Sequence, residues 1–183
     1  MKERAPRKDG PAQRVALFAM MTALAFVLSW IERLFPPISG AVPGIKLGLA
    51  NVVVLVMLYH RGLGQAFAVA LLRVLVMGFV FTNLSTMLYS LAGGLLSLGV
   101  MALAKRTGWL GPVGVSVLGG VFHNVGQILL AMLLLRSALL SVYLPALVAV
   151  GAGTGMAVGV AAGGALRYLK VLPGPKARKG DAP

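Results

Sequence analysis

The chain contains no cysteine, which removes disulfides and thiolate metal sites and leaves the redox compartment unreadable. Acidic residues are nearly as scarce: Glu3, Asp9, Glu32 and Asp181 are the whole set. Three of them sit in the polar ends, so Glu32 is the single carboxylate of the apolar body. Magnesium chemistry on a diphosphate needs clustered carboxylate oxygens, and this pattern offers none, so no metal and no cofactor are expected. A hydrolase needs a nucleophile, a base and an orienting acid together, whereas "GVFHNVGQ" carries a histidine with no acid near it. Neither GxxxxGK[ST] nor GxGxxG after a strand occurs, so the chain does not bind ATP through a phosphate loop. Energy for any transport must come from a partner or an ion gradient.

What the chain has in excess is oil. Of its 183 residues 58 % are hydrophobic and 11 % charged, with a mean hydropathy of +0.90, which is the balance of a membrane protein. The net charge of +13 raises nucleic acid as a partner, but the cations are distributed against it. Ten of the seventeen Lys and Arg lie in segments 1–14 and 167–183, flanking hydrophobic stretches. Cations beside spans set topology and meet anionic lipid headgroups, so membrane lipid and not nucleic acid is the expected partner.

A helix rises about 1.5 Å per residue and the hydrocarbon core is about 30 Å thick. Apolar runs near that length predict six spans, over 14–34, 44–60, 63–81, 84–104, 112–135 and 141–168, broken by "FPPISGAVPG", "HRGLG" and "KRTGWLGP". The first run exceeds a signal-peptide core and ends at "SWIERLFPP" without a small-residue cleavage site, so it reads as an uncleaved span. With the N-terminus inside, the inner segments hold thirteen Lys and Arg, and the outer loops hold only Arg33, Lys46 and Arg136. The positive-inside rule then places both termini in the cytoplasm and the chain in the cell membrane. The organisation is a basic tail 1–13, a transmembrane domain 14–170 and a basic tail 171–183.

Helices in lipid associate through close backbone approach at small residues. Gly151, Gly155, Gly159 and Gly163 recur every fourth residue in the last span, and Gly44 and Gly48 repeat the spacing in the second. In the first span Ala12 and Ala16, and separately Ala19 and Ala23, have the same spacing. Each pattern fits ordinary internal packing; the alanine face also fits contact with another subunit.

Polar residues inside the spans single out a site. His123, Asn124 and Gln127 share one helical sector, which must meet another helix, a wet cavity or a ligand. Arg73 lies near the middle of the third span, where a cation costs roughly 2.5 to 3.5 kcal/mol to insert. Two accounts stand side by side. Arg73 pairs with Glu32 or with helix-end carbonyls while the amides are interhelical glue. Alternatively Glu32 is taken by Arg33 or Lys46, and Arg73 awaits an anion from outside. On the second account Arg73, Lys46, Asn51, His123, Asn124 and Gln127 bind a small anionic solute. Pro43 and Gly44 then start a helix whose amides add to the anion site.

The segments "VPGIKLGLANVVVL" (42–55), "YSLAGGLLSLGVM" (89–101) and "GGVFHNVGQI" (119–128) resemble the bacterial membrane family catalogued as heptaprenyl diphosphate synthase component I and as the Gx transporter family. The resemblance runs from about residue 14 to 170. The synthase name implies isoprenoid chain elongation, which in polyprenyl synthases uses two aspartate-rich motifs, while aspartate here occurs only at 9 and 181. An accessory role, not an enzyme, is what that name implies for this chain. The six spans, the long first outer loop and the first-helix alanines are also similar to the S components of energy-coupling factor transporters. That resemblance implies a site toward the outer face, and docking through Ala19 and Ala23 on a coupling subunit driven by ATPases. The expectation is therefore an all-α integral membrane bundle of about six helices acting as a solute-binding transport component. The alternative is a non-catalytic subunit of a complex for polyprenyl diphosphate synthesis or electron transfer.

Overall fold

The computed structural model describes residues 10–34, 48–81 and 83–169, the Arg33 side chain excepted. The described residues form six α-helices and no strand: α1 (Pro11–Leu34), α2 (Leu49–His60), α3 (Leu63–Phe81), α4 (Leu84–Thr107), α5 (Pro112–Leu135) and α6 (Leu144–Tyr168), the last preceded by a 3-10 stretch at Ala138–Tyr143. The boundaries have local causes. Asn83 caps α4 by accepting from the Thr86 N–H at 2.9 Å. Gly108 closes that helix at φ 71°, and Pro112 opens α5, positions where glycine and proline each carry no steric penalty.

Five helical segments are long and apolar enough to cross a membrane. The exception corrects the sequence reading. The described helix of the second span is shorter than the run 44–60: it begins at Leu49, after Gly48 turns left-handed at φ 73°. Gly48 is therefore a cap and not part of a glycine stripe, and Pro43, Gly44 and Lys46 lie outside the described residues. With 12 residues, α2 is about 18 Å long, too short to cross alone. Its shortness goes with burial: Leu55, Met57 and Leu58 are almost wholly enclosed, and α2 supplies the largest share of the core.

Packing closes the helices into a ring. Around it α1 touches α2, α2 touches α6, α6 packs on α5, α5 on α4, α4 on α3, and α3 returns to α1. The tightest seams are those of α5 with α6 and α4, and they are built on glycine. A Cβ at Gly120 would collide with the Gly151 carbonyl, one at Gly155 would stand 2.6 Å from the Ser116 carbonyl oxygen, and one at Gly159 would stand 2.7 Å from Val113 Cα. Three members of the predicted stripe thus serve the α5–α6 seam. The fourth, Gly163, faces open space. On the far side of the ring, Ala12, Ala16, Ala19 and Ala23 all lie exposed along α1, while Ala25 of the same helix is fully buried.

Candidate functional site

A ring of six helices leaves a space at its centre, and here that space is polar. A cavity of about 100 Å³ is lined from every helix, room for several waters or a small solute. It is bounded at one end by the end of α1 (Ser29, Glu32), the start of α2 (Gly48, Asn51) and the second half of α3 (Arg73, Met77). It runs inward along α4, α5 and α6 to Ser97, Ser116 and Thr154.

Five of the six residues expected to bind solute line this one cavity: Arg73, Asn51, His123, Asn124 and Gln127. The sixth, Lys46, lies outside the described residues. Arg73 is held by Asn51, its Nη2 donating to Asn51 Oδ1 at 3.2 Å. Its Nε is enclosed without any acceptor, an arrangement that costs the desolvation of a charged donor. Glu32 lines the same cavity, and its charge acts on Arg73. The Glu32 Oε1 also accepts the Gly48 N–H at the start of α2. The chain's own carboxylate thus occupies an N–H at the start of α2, while the helix start that the sequence reading gave to an anion, at Pro43 and Gly44, lies outside the described residues.

The α5 sector divides in two. Asn124 is buried and donates from Nδ2 to the Leu147 carbonyl at 2.8 Å, so its amide ties α5 to the first turn of α6. His123 and Gln127 lie against α4. A Cβ at Gly93 would stand 2.6 Å from the His123 carbonyl oxygen and 2.8 Å from Gln127 Cγ, so only glycine at 93 lets these helices close around the site. Asn124 thus makes an interhelical hydrogen bond and also lines the cavity, as His123 and Gln127 do.

Several wall residues went unrecognised in the sequence. Ser90 and Ser97 on α4 and Ser116 on α5 line the cavity. Their signal was legible: Ser90, Gly93 and Ser97 fall on one α4 face, and Ser116, Gly120, His123 and Gln127 on one α5 face, at i, i+3/i+4, i+7 spacing. Thr154 and Ser29 spend their hydroxyl protons on their own helices, at Val150 O (3.0 Å) and Ala25 O (2.8 Å), which leaves oxygen lone pairs toward the cavity.

Apolar helices around a polar, charged cavity define the class, a multi-pass helical membrane protein with an internal polar cavity. Residues 21–165 match the family model described as heptaprenyl diphosphate synthase component I, and the chain belongs to that family. Comparison with curated proteins and with solved structures gives no match.

Proposed function

We propose that the protein is the solute-binding component of a membrane transport system, similar in role to an S component, and that its solute is a small anion. The observation that carries this reading is Arg73: a guanidinium in the middle of a span, on a cavity wall it shares with Glu32, hydrogen-bonded to Asn51 Oδ1 and with an enclosed Nε lacking an acceptor. Burying a charged donor without an acceptor is costly, and with Glu32 also accepting from the Gly48 N–H a solute anion would complete the site. Asn51, His123, Asn124 and Gln127 then orient the solute, and Lys46 adds a second cation in this reading. Both termini are cytoplasmic in this reading, so the cavity, which lies among the end of α1, the start of α2 and the second half of α3, is on the side of the bundle toward the outer face of the cell membrane. A basic tail (1–13) and a basic tail (171–183) flank the membrane domain on the inner side. Coupling to ATPases runs through a transmembrane partner docked on Ala19 and Ala23.

The test is Arg73→Gln in protein extracted gently from its own membrane and weighed by native mass spectrometry. Wild type carries a small anion that the variant lacks at unchanged thermal stability. An empty wild-type cavity with an unstable variant would make Arg73 a structural residue and sink the reading.

The family description supports a second reading, since it names one component of a synthase. In it the chain is a non-catalytic membrane subunit that anchors a prenyl diphosphate synthase, and the exposed α1 alanines face that partner. The same mass spectrum separates the two, because this reading expects a stable synthase subunit and no saturable small anion.

A further inference from the structure

The inner end of the cavity carries hydroxyls that the helices leave unspent. A serine or threonine inside a helix commonly donates to a carbonyl one turn back, and here Thr22, Ser29 and Thr154 do so, to Phe18 O, Ala25 O and Val150 O. Ser97 on α4 and Ser116 on α5 do not. They are only 4 % and 2 % exposed, both line the cavity, and among the described residues neither hydroxyl has a hydrogen-bond partner. Buried polar groups are nearly always paired, so these two look to the cavity for a partner.

The surroundings define what that partner is. Ser97 Oγ and Met101 Sδ both lie against Gly119, where a Cβ would stand 3.2 and 2.6 Å from them. Among the described residues Glu32, at the opposite end, is the one carboxylate lining the cavity, so an ammonium group would lack a counter-ion at the serines. Thr154 has spent its proton and offers only lone pairs. A carbonyl, which can only accept, leaves those lone pairs unmatched, whereas a hydroxyl both donates and accepts. The size is also bounded. About 100 Å³ holds roughly seven to ten water-sized groups, and the α4 wall from Ser90 to Ser97 spans two turns, about 10 Å.

We propose that the solute is a small hydroxylated monoanion, its charged group at Arg73 and a hydroxyl at its far end on Ser97 and Ser116. This rests on the anion-binding reading of the cavity and adds which anions the site takes. One guanidinium in a cavity that also holds Glu32 matches a single negative charge, because a second would face the carboxylate. An unsubstituted acid of equal length leaves both serines unpaired, and a site of buried hydrogen-bonding groups rejects such an analogue.

The test measures binding to the full chain in lipid nanodiscs with two series of probes. One is the straight-chain carboxylates of four to six carbons; the other is the same acids with a hydroxyl on the last carbon. In wild type the hydroxyl raises affinity about three- to tenfold at one or more of these lengths, the worth of one or two neutral hydrogen bonds. That comparison needs no variant. Ser97→Ala and Ser116→Ala, singly and together, put a good helix former at each position and bring the ratio of the paired affinities down toward one. Arg73→Gln loses both series. No hydroxyl gain at any length in wild type, or a gain that survives the serine substitutions, would overturn the inner contact and leave the anion-binding reading standing. Failure of every carboxylate to bind wild type would overturn both and leave water as the occupant.

Discussion

Arg73 Nη2 and Asn51 Oδ1 stand 3.2 Å apart, joining the middle of α3 to the first turn of α2 across 22 residues of sequence. An amide oxygen thus anchors a guanidinium inside an apolar bundle. Replacing Asn51 by Leu removes that anchor, and leaving a charged donor unpaired costs about 1 to 3 kcal/mol. The expected outcome is a lower unfolding temperature for Asn51→Leu, largely restored when Arg73→Met is added. A double-mutant cycle of thermal unfolding in detergent measures the coupling, and simple additivity would show that the pair does not interact.

Gly155 and Gly163 share one helical register but not one environment. Gly155→Ala places a methyl group against the Ser116 carbonyl and is expected to cost about 1 to 3 kcal/mol through overpacking. Gly163→Ala meets nothing within 4 Å and is expected to be neutral or stabilising by up to about 1 kcal/mol through helix propensity. Unfolding midpoints of the two variants decide it; equal losses would contradict the α5–α6 seam described above.

Asn124 and Gln127 are one turn apart and are expected to behave differently. Asn124→Ala gives up the bond to the Leu147 carbonyl and should lose about 0.6 to 2 kcal/mol of stability. Gln127→Ala should keep stability and weaken anion binding. Paired melting and binding measurements separate glue from wall.

Lys105 Nζ donates to the Leu58 carbonyl at 2.7 Å and lies 5.0 Å above the Tyr59 ring. It satisfies a carbonyl in the last turn of the short, central α2, where a cation also suits the helix end. Lys105→Met is expected to cost about 1 kcal/mol or more, with no change in anion affinity. Hydrogen exchange at the α2 C-terminus should rise, and an unchanged exchange rate would remove the capping role.

Ala19→Leu with Ala23→Leu alters an exposed face of α1. Stability and small-anion binding should be unaffected, while any membrane partner recovered with wild type should be lost. Retention of the partner would move its docking surface elsewhere.

Much of this was legible because lipid imposes simple rules. Span lengths, breakers and caps such as Asn83, Gly108 and Pro112 are local properties, and five of the six helices match their expected limits closely. The intramembrane polar residues were also legible, since Arg73, His123 and Gln127 have no cheap position in an apolar run. Their meeting in one cavity was not, because ring closure depends on which glycine faces which backbone: Gly93 on His123, Gly120 on Gly151. A fourfold glycine spacing looks the same at Gly155, which is clamped, and at Gly163, which is open. Nor could the sequence assign the Gly48 N–H at the start of α2 to Glu32, or the Asn124 amide to the Leu147 carbonyl. Those outcomes turn on distances of a few tenths of an ångström between helices far apart in the chain, and only the packed ring sets them. The sequence by itself determined polar residues inside an apolar bundle; the tertiary structure decided that Arg73, Asn51, His123, Asn124 and Gln127 line one cavity, because close backbone approach at glycines such as Gly93 and Gly120 brings their helices together.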